Sequence, residues 1–245
     1  MNRKAFFDLE TTGIGKGALG TFTDPVGIYS VGYKLGNNKA TSMFGKTDIP
    51  MEDGARHIAK MGENARGIAG AQMTEKAMLQ QFVTQLKDSG VEELVGFNIH
   101  NYDSPLLEKR MRHLGLSAEA DYVKNIKHTD VMHMVKSSMD HALSGYEGQI
   151  DWEYGAGKVP RGLSLEAVAR GLGIRTDTAH AAATDVEMTQ KVHDIASNGD
   201  EFIKRFNVSE WAKATDELFI SKERRQRGLP SEYTGEGPIP EESFH

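Results

Sequence analysis

The stretch Phe6-Phe7-Asp8-Leu9-Glu10-Thr11-Thr12-Gly13 decides how this chain is read. An apolar entry delivers carboxylates at i and i+2, and a Thr-Thr-Gly turn follows. Alternate residues of an extended strand share a face, so Asp8 and Glu10 point the same way. Two carboxylates held side by side resist being charged together unless a cation sits between them. An oxygen-rich set of this kind suits a hard divalent ion such as Mg²⁺ or Mn²⁺.

Two later segments complete the set. Val95-Gly96-Phe97-Asn98-Ile99-His100-Asn101-Tyr102-Asp103 leaves a strand and places a third acid at the start of a helix. His180-Ala181-Ala182-Ala183-Thr184-Asp185 adds a histidine and a fourth acid five positions on. If all of 180–185 were helical, the five steps would leave His180 and Asp185 about 140° apart. They converge only if His180 lies on the loop before the helix.

With these residues in this order, the chain resembles the DEDDh 3′→5′ exonucleases over residues 4–196. That group includes proofreading subunits, RNase T and oligoribonuclease. The resemblance implies a ribonuclease-H-like fold and two ions, Mg²⁺ or Mn²⁺, roughly 3.5–4 Å apart. It assigns Asp8, Glu10, Asp103 and Asp185 as metal ligands, with Asp8 bridging, and His180 as general base. It also implies substrate contacts from Leu9 beneath the last base, Thr11 at the terminal 3′-hydroxyl and Asn98 at the terminal nucleotide. The expected activity is release of nucleoside 5′-monophosphates from a single-stranded or frayed 3′ end of DNA. The alternatives are an RNA or oligoribonucleotide substrate, and a non-catalytic exonuclease-like module serving a polymerase or replication partner.

The remaining pattern predicts an α/β fold, a mixed five-stranded sheet with helices on both faces. Residues 4–8 read as a buried central strand, 26–35 and 40–44 as a hairpin turning at Gly36-Asn37-Asn38, and 92–97 and 127–130 as two further strands. Thr74 is the expected N-cap of a helix through Lys87, with Leu79, Phe82, Val83 and Leu86 as its apolar stripe. Short helical pieces are expected around 52–61, and helices over 103–113, 131–139, 164–171 and 181–197. Ser144–Gly162, with five glycines, reads as a mobile loop. Residues 1–198 form the expected nuclease domain, 199–227 a helical extension containing Trp211, and 228–245 a disordered tail.

Several functions are excluded by composition. With no cysteine there is no disulfide framework, thiolate zinc site or thiol nucleophile. A net charge of −6 gives no global attraction for a polyanion. The chain enters a strand almost at once and has no apolar run near 18 residues, so a cytoplasmic location and no membrane contact are expected. The Gly13–Gly20 loop is not a P-loop, since Glu10 and Gly17 stand where that motif needs Gly and Ser/Thr. Lys222-Glu223-Arg224-Arg225-Gln226-Arg227 is the one strongly basic run, either a backbone-tracking patch or a solvated helix end. His57, His100, His113, His128, His133, His141, His193 and His245 are assigned no role.

Overall fold

In a computed structural model of the chain, the described residues are 3–13, 25–52, 59, 62–142, 153–154, 159–160, 163–176, 181–215 and 217. The central strand is β1 (Lys4–Thr11), flanked by β2 (Ile28–Leu35) and, on the other side, by β5 (Glu93–Gly96). Beyond β2 lie β3 (Thr41–Lys46) and β4 (Met73–Thr74), and beyond β5 lies β6 (Lys127–Asp130), giving the order β4-β3-β2-β1-β5-β6. The β1–β2 and β2–β3 pairs are antiparallel, whereas β1–β5, β5–β6 and β3–β4 are parallel. The mixed sheet is as expected, with one strand more than expected. The addition, β4, is two residues long and leads straight into the helix capped by Thr74, too short to leave a periodic signal.

Alternation along β1 separates two cores. Ala5, Phe7 and Leu9 enter one with Val31, Met78, Phe82 and Leu107, under α2 (Glu75–Asp88), α3 (Asp103–His113) and α4 (Ser117–Asn125). Phe6 enters the other with Val135, Val168, Val186 and Val192, under α5 (Val131–Ala142), α6 (Leu165–Gly171) and α7 (Ala182–Ala196). Asp8 and Glu10 share this second face, at the end of β1 where the apolar layer stops. Helix α8 (Gly199–Arg205), its C-cap Phe206 and the helical residues 208–215 add Phe202, Phe206 and Trp211 to the same core. The beginning of the C-terminal extension is therefore integral to that layer.

Local sequence explains several boundaries. The Thr74 hydroxyl accepts the Ala77 N–H, and the Ser164 hydroxyl accepts that of Ala167, each a side-chain N-cap. The helix begun by Thr74 stops at Ser89, and Gly90 follows with a left-handed φ of 60°. A helix at Gly62–Gly70 (α1) and α4 were not expected. The expected pieces near 52–61 fall almost wholly outside the described residues, as does most of Ser144–Gly162, where Glu153–Tyr154 (β7) pairs with Val159–Pro160 (β8). The basic run 222–227 and the tail from 228 also lie outside them.

One row across the sheet positions the last motif helix. Asp8 pairs with Gly32, and Gly32 with Ser42, so the three share a face. Helix α7 begins over this row. Its N-cap, Ala181, has no capping side chain. The Ser42 hydroxyl supplies one from the sheet, accepting the Ala183 N–H at 3.1 Å. A Cβ on Gly32 would lie 2.3 Å from the Ala182 carbonyl carbon, a backbone atom that cannot swing aside. Gly32→Ala is therefore expected to destabilise the fold by about 1–3 kcal/mol through overpacking. A shift in the urea midpoint at unchanged slope checks this, and an unshifted midpoint would show that α7 does not rest on the glycine.

Candidate metal centre

The centre is assembled from three places. The β1 end contributes Asp8 and Glu10, the start of α3 contributes Asp103, and the first turn of α7 contributes Asp185. Ligand-capable oxygens of Asp8, Glu10 and Asp185 lie within 4.8 Å of one another. Asp103 is buried beside them and adds to the charge felt by Asp8. All four predicted acids thus converge on one spot.

Their electrostatics follow from that crowding. Burial, then the charges of Asp185, Asp103 and Glu10, holds Asp8 well above the ordinary carboxylate range. Glu10 is pushed up to about 8, by burial first and Asp185 next, against hydrogen bonds from Tyr29 and Asn64 that favour its ionised form. Asp103 is likewise pushed up to about 8 by burial, partly offset by the backbone N–H groups of Asp103 and Leu9. The charged side chains acting on these three acids are neighbouring carboxylates, Asp130 among them. Such a set fits divalent cations, whose charge removes the repulsion and which prefer carboxylate oxygen.

A bulge explains the placement of one supporting residue. Glu10 opposes Ser30 but Thr11 opposes Ile28, leaving Tyr29 as the extra residue on β2. Tyr29 is 1% exposed, and its hydroxyl donates to Glu10 Oε2 at 3.4 Å. Asn64, on α1, reaches the same carboxylate. Neither residue carries a sequence signal for this role, because the bulge and the unexpected helix that deliver them are tertiary features.

The predicted substrate residues have varied settings. The Thr11 hydroxyl donates to the Gly13 carbonyl at 2.8 Å and lies 3.0 Å from the Tyr102 hydroxyl, which also donates to Gly13 at 2.9 Å. Asn98 has a left-handed φ of 63° and donates its backbone N–H to Asp130 Oδ1 at 2.9 Å. Leu9 is packed into the first core, on the opposite face from Asp8 and Glu10. His180 falls outside the described residues. Ala181, its successor, has extended backbone, and α7 starts at Ala182.

Residues 7–145 match the family model described as DNA polymerase family B, exonuclease domain. Asp8, Glu10 and Asp103 fall inside that segment, and His180 and Asp185 beyond it. Among solved structures, the chain is similar to the zinc-bound form of E. coli exonuclease I in complex with single-stranded DNA. The TM-score is 0.58 at 14% identity, covering 93% of this chain and 45% of that one. It is also similar to E. coli exonuclease I in complex with a dA16 oligonucleotide, at TM-score 0.53 and 16% identity, again covering 93% and 45%. The chain therefore spans less than half the length of exonuclease I, and the likeness at these identities is one of fold. No curated protein matches in sequence. No helix among the described residues is long and apolar enough to cross a membrane.

The raised acids make a signed prediction. Ordinary carboxyls titrate near about 4, whereas Glu10 and Asp103 do so near 8 in the fold. Between those limits the native state holds more protons than the unfolded chain, so stability present at low pH is lost as pH rises. In chelator, the melting temperature is expected to fall from pH 5 to pH 8, and added Mn²⁺ to restore more of it at pH 8. Asp8→Asn should raise the pH 8 value without metal; equal melting of variant and parent would remove the repulsion argument.

Proposed function

The chain belongs to the family of DNA polymerase family B exonuclease domains, and on that premise we propose that it is a metal-dependent 3′→5′ exonuclease acting on single-stranded or frayed DNA. The observation that carries this reading is the convergence of Asp8, Glu10 and Asp185 within 4.8 Å, with Asp103 buried alongside. Asp8, Glu10 and Asp185 would hold one Mg²⁺ or Mn²⁺, and Asp8 with Asp103 a second. Bound there, such ions supply an activated water at neutral pH and stabilise charge on the reacting phosphate.

The chain's own side chains account for the rest. His180, of the residue type best suited to take a proton at neutral pH, accepts the proton of the attacking water. The Thr11 hydroxyl already donates to Gly13, so it presents its lone pairs to the terminal 3′-hydroxyl. Tyr102 holds the Thr11–Gly13 turn in place. Asn98 meets the terminal nucleotide, whereas the buried Leu9, on the other face of β1, is left to pack the core beneath the site. Tyr29 and Asn64 orient Glu10. Attack of water on the terminal phosphodiester breaks the bond to the penultimate 3′-oxygen. It releases a nucleoside 5′-monophosphate and leaves a strand one residue shorter with a free 3′-hydroxyl.

Incubating the protein with Mg²⁺ or Mn²⁺ and 5′-labelled DNA and RNA of matched sequence tests the reading. Stepwise shortening of DNA from the 3′ end is expected, blocked by a 3′-phosphate. Preferred shortening of RNA would move the substrate to oligoribonucleotides, and strand binding without any cleavage would make the domain a non-catalytic module. Asp8→Ala should abolish turnover. His180→Ala should lower it roughly 10²–10⁴-fold while leaving Mn²⁺ binding in place, and an unchanged pH–rate profile would remove the general-base role.

A further inference from the structure

A second group of ligand-capable side chains lies on the other side of the loop that carries Asn98. His100 sits on that loop, Asp130 ends β6, and His133 is the third residue of α5. Parallel pairing sets Gly96 of β5 beside Asp130, which brings the loop over the end of β6. Ligand-capable atoms of His100, Asp130 and His133 all lie within 4.8 Å of one another. The two imidazole rings are 5.5 Å apart between centroids.

The carboxylate is held in place before any ligand arrives. Asp130 Oδ1 accepts the N–H groups of Asn98 at 2.9 Å and Met132 at 3.0 Å, so it ties down the loop and caps α5. Its Oδ2 accepts the His100 N–H at 3.2 Å and lies 3.9 Å from His100 Nδ1. A carboxylate oxygen carries two lone pairs, so Oδ2 keeps one. The Asp130 side chain is fully buried, whereas that of His100 is 42% exposed. His133 is exposed as well, so both rings can turn toward a common centre.

A third imidazole lies next to this trio. His128 shares a face of β6 with Asp130, and its ring is 6.4 Å from that of His100. One ring nitrogen bonds the Val123 backbone. The other, Nε2, is buried with no hydrogen-bond partner. A buried nitrogen lone pair left open is an atom whose demand a bound ion or its water can meet. This His-x-Asp-x-x-His pattern gains its meaning only when the fold adds His100.

We propose that His100, Asp130 and His133 form a second cation site, sharing no ligand with the four-carboxylate centre, that takes a late first-row divalent ion such as Zn²⁺. The donor set is two imidazole nitrogens and one carboxylate oxygen with an outer position for water, which suits zinc and not magnesium. Tetrahedral ligands at zinc distances lie about 3.3 Å apart, so the group closes on an ion by modest turns of two exposed rings. An ion there fastens the Asn98–Tyr102 loop to β6 and α5. That loop leads directly into Asp103, so the site steadies one acid of the nuclease centre without sharing a ligand with it.

The test uses the full chain with Glu10→Gln and Asp185→Asn, which weakens the carboxylate centre, and Co²⁺ or Zn²⁺ as the probe. Calorimetry is expected to show one bound Zn²⁺ per chain, and Co²⁺ to give the visible absorption of a nitrogen-ligated ion. Adding His100→Ala and His133→Ala, at positions exposed enough to spare the fold, should weaken that binding by more than about tenfold and remove the absorption. Unchanged affinity and absorption after both histidine substitutions would overturn the assignment, as would failure of the parent to bind either ion. If the unsubstituted chain shortened no DNA or RNA strand with Mg²⁺ or Mn²⁺ while zinc still bound through these histidines, the nuclease reading would fail and this site would stand.

Discussion

Mutual repulsion among four gathered carboxylates is the constraint around which this molecule is built. A central strand buried on both faces is a poor place for charge, yet β1 carries two acids at its end and receives two more from α3 and α7. Ionising the set in place opposes both burial and Coulomb repulsion. The protein offsets part of this with neutral donors. Tyr29 and Asn64 face Glu10, and backbone N–H groups face Asp103. The charged side chains that bear on these three acids are other carboxylates, so a deficit is left for cations to fill. A site strained in this way trades stability for readiness to bind.

The approach of α7 is the second requirement, because Asp185 must come over the sheet and down to β1. The row Asp8–Gly32–Ser42 answers it across three strands. Asp8 is the ligand, Gly32 removes a side chain where the helix backbone passes, and Ser42 caps the helix end that its own sequence leaves uncapped. A satisfied N-terminus so close to the acids also orients the helix dipole's positive end toward them. Packing and electrostatics therefore favour the same placement.

How much of this was legible from sequence depends on how local each cause is. Thr74 as a cap, the Ser89-Gly90 stop and the two-face split of β1 are nearest-neighbour effects, and their reading matches the structure. The four acids were legible because their spacing in the chain is distinctive even though their meeting is not local. Gly32, Ser42 and Tyr29 were invisible for the opposite reason: each acts through a partner more than eighteen positions away, across a pairing register or a bulge. Helix α4 went unread because its residues 117–125 are mostly polar, with only Ala120 and Val123 buried. His100, Asp130 and His133 show the same limit, since thirty positions separate the first from the second.

The charge of the whole chain bears on how the proposed substrate would be gripped. At a net −6 the protein repels a strand at long range, and physiological salt screens that repulsion beyond about 8 Å. Attraction must then be short-ranged and local. Coating or sliding depends on many phosphate contacts spread along a basic surface, and such a surface is at odds with this composition. Under the proposed function, cations seated among the four acids would concentrate positive charge at one point instead, next to Thr11 and the Asn98 loop. That arrangement favours gripping a strand by its terminus, where one phosphate and one free hydroxyl are presented together. The proposed activity is in this sense consistent with an acidic chain: the ions that the chemistry would need would also supply the attraction that the protein surface withholds.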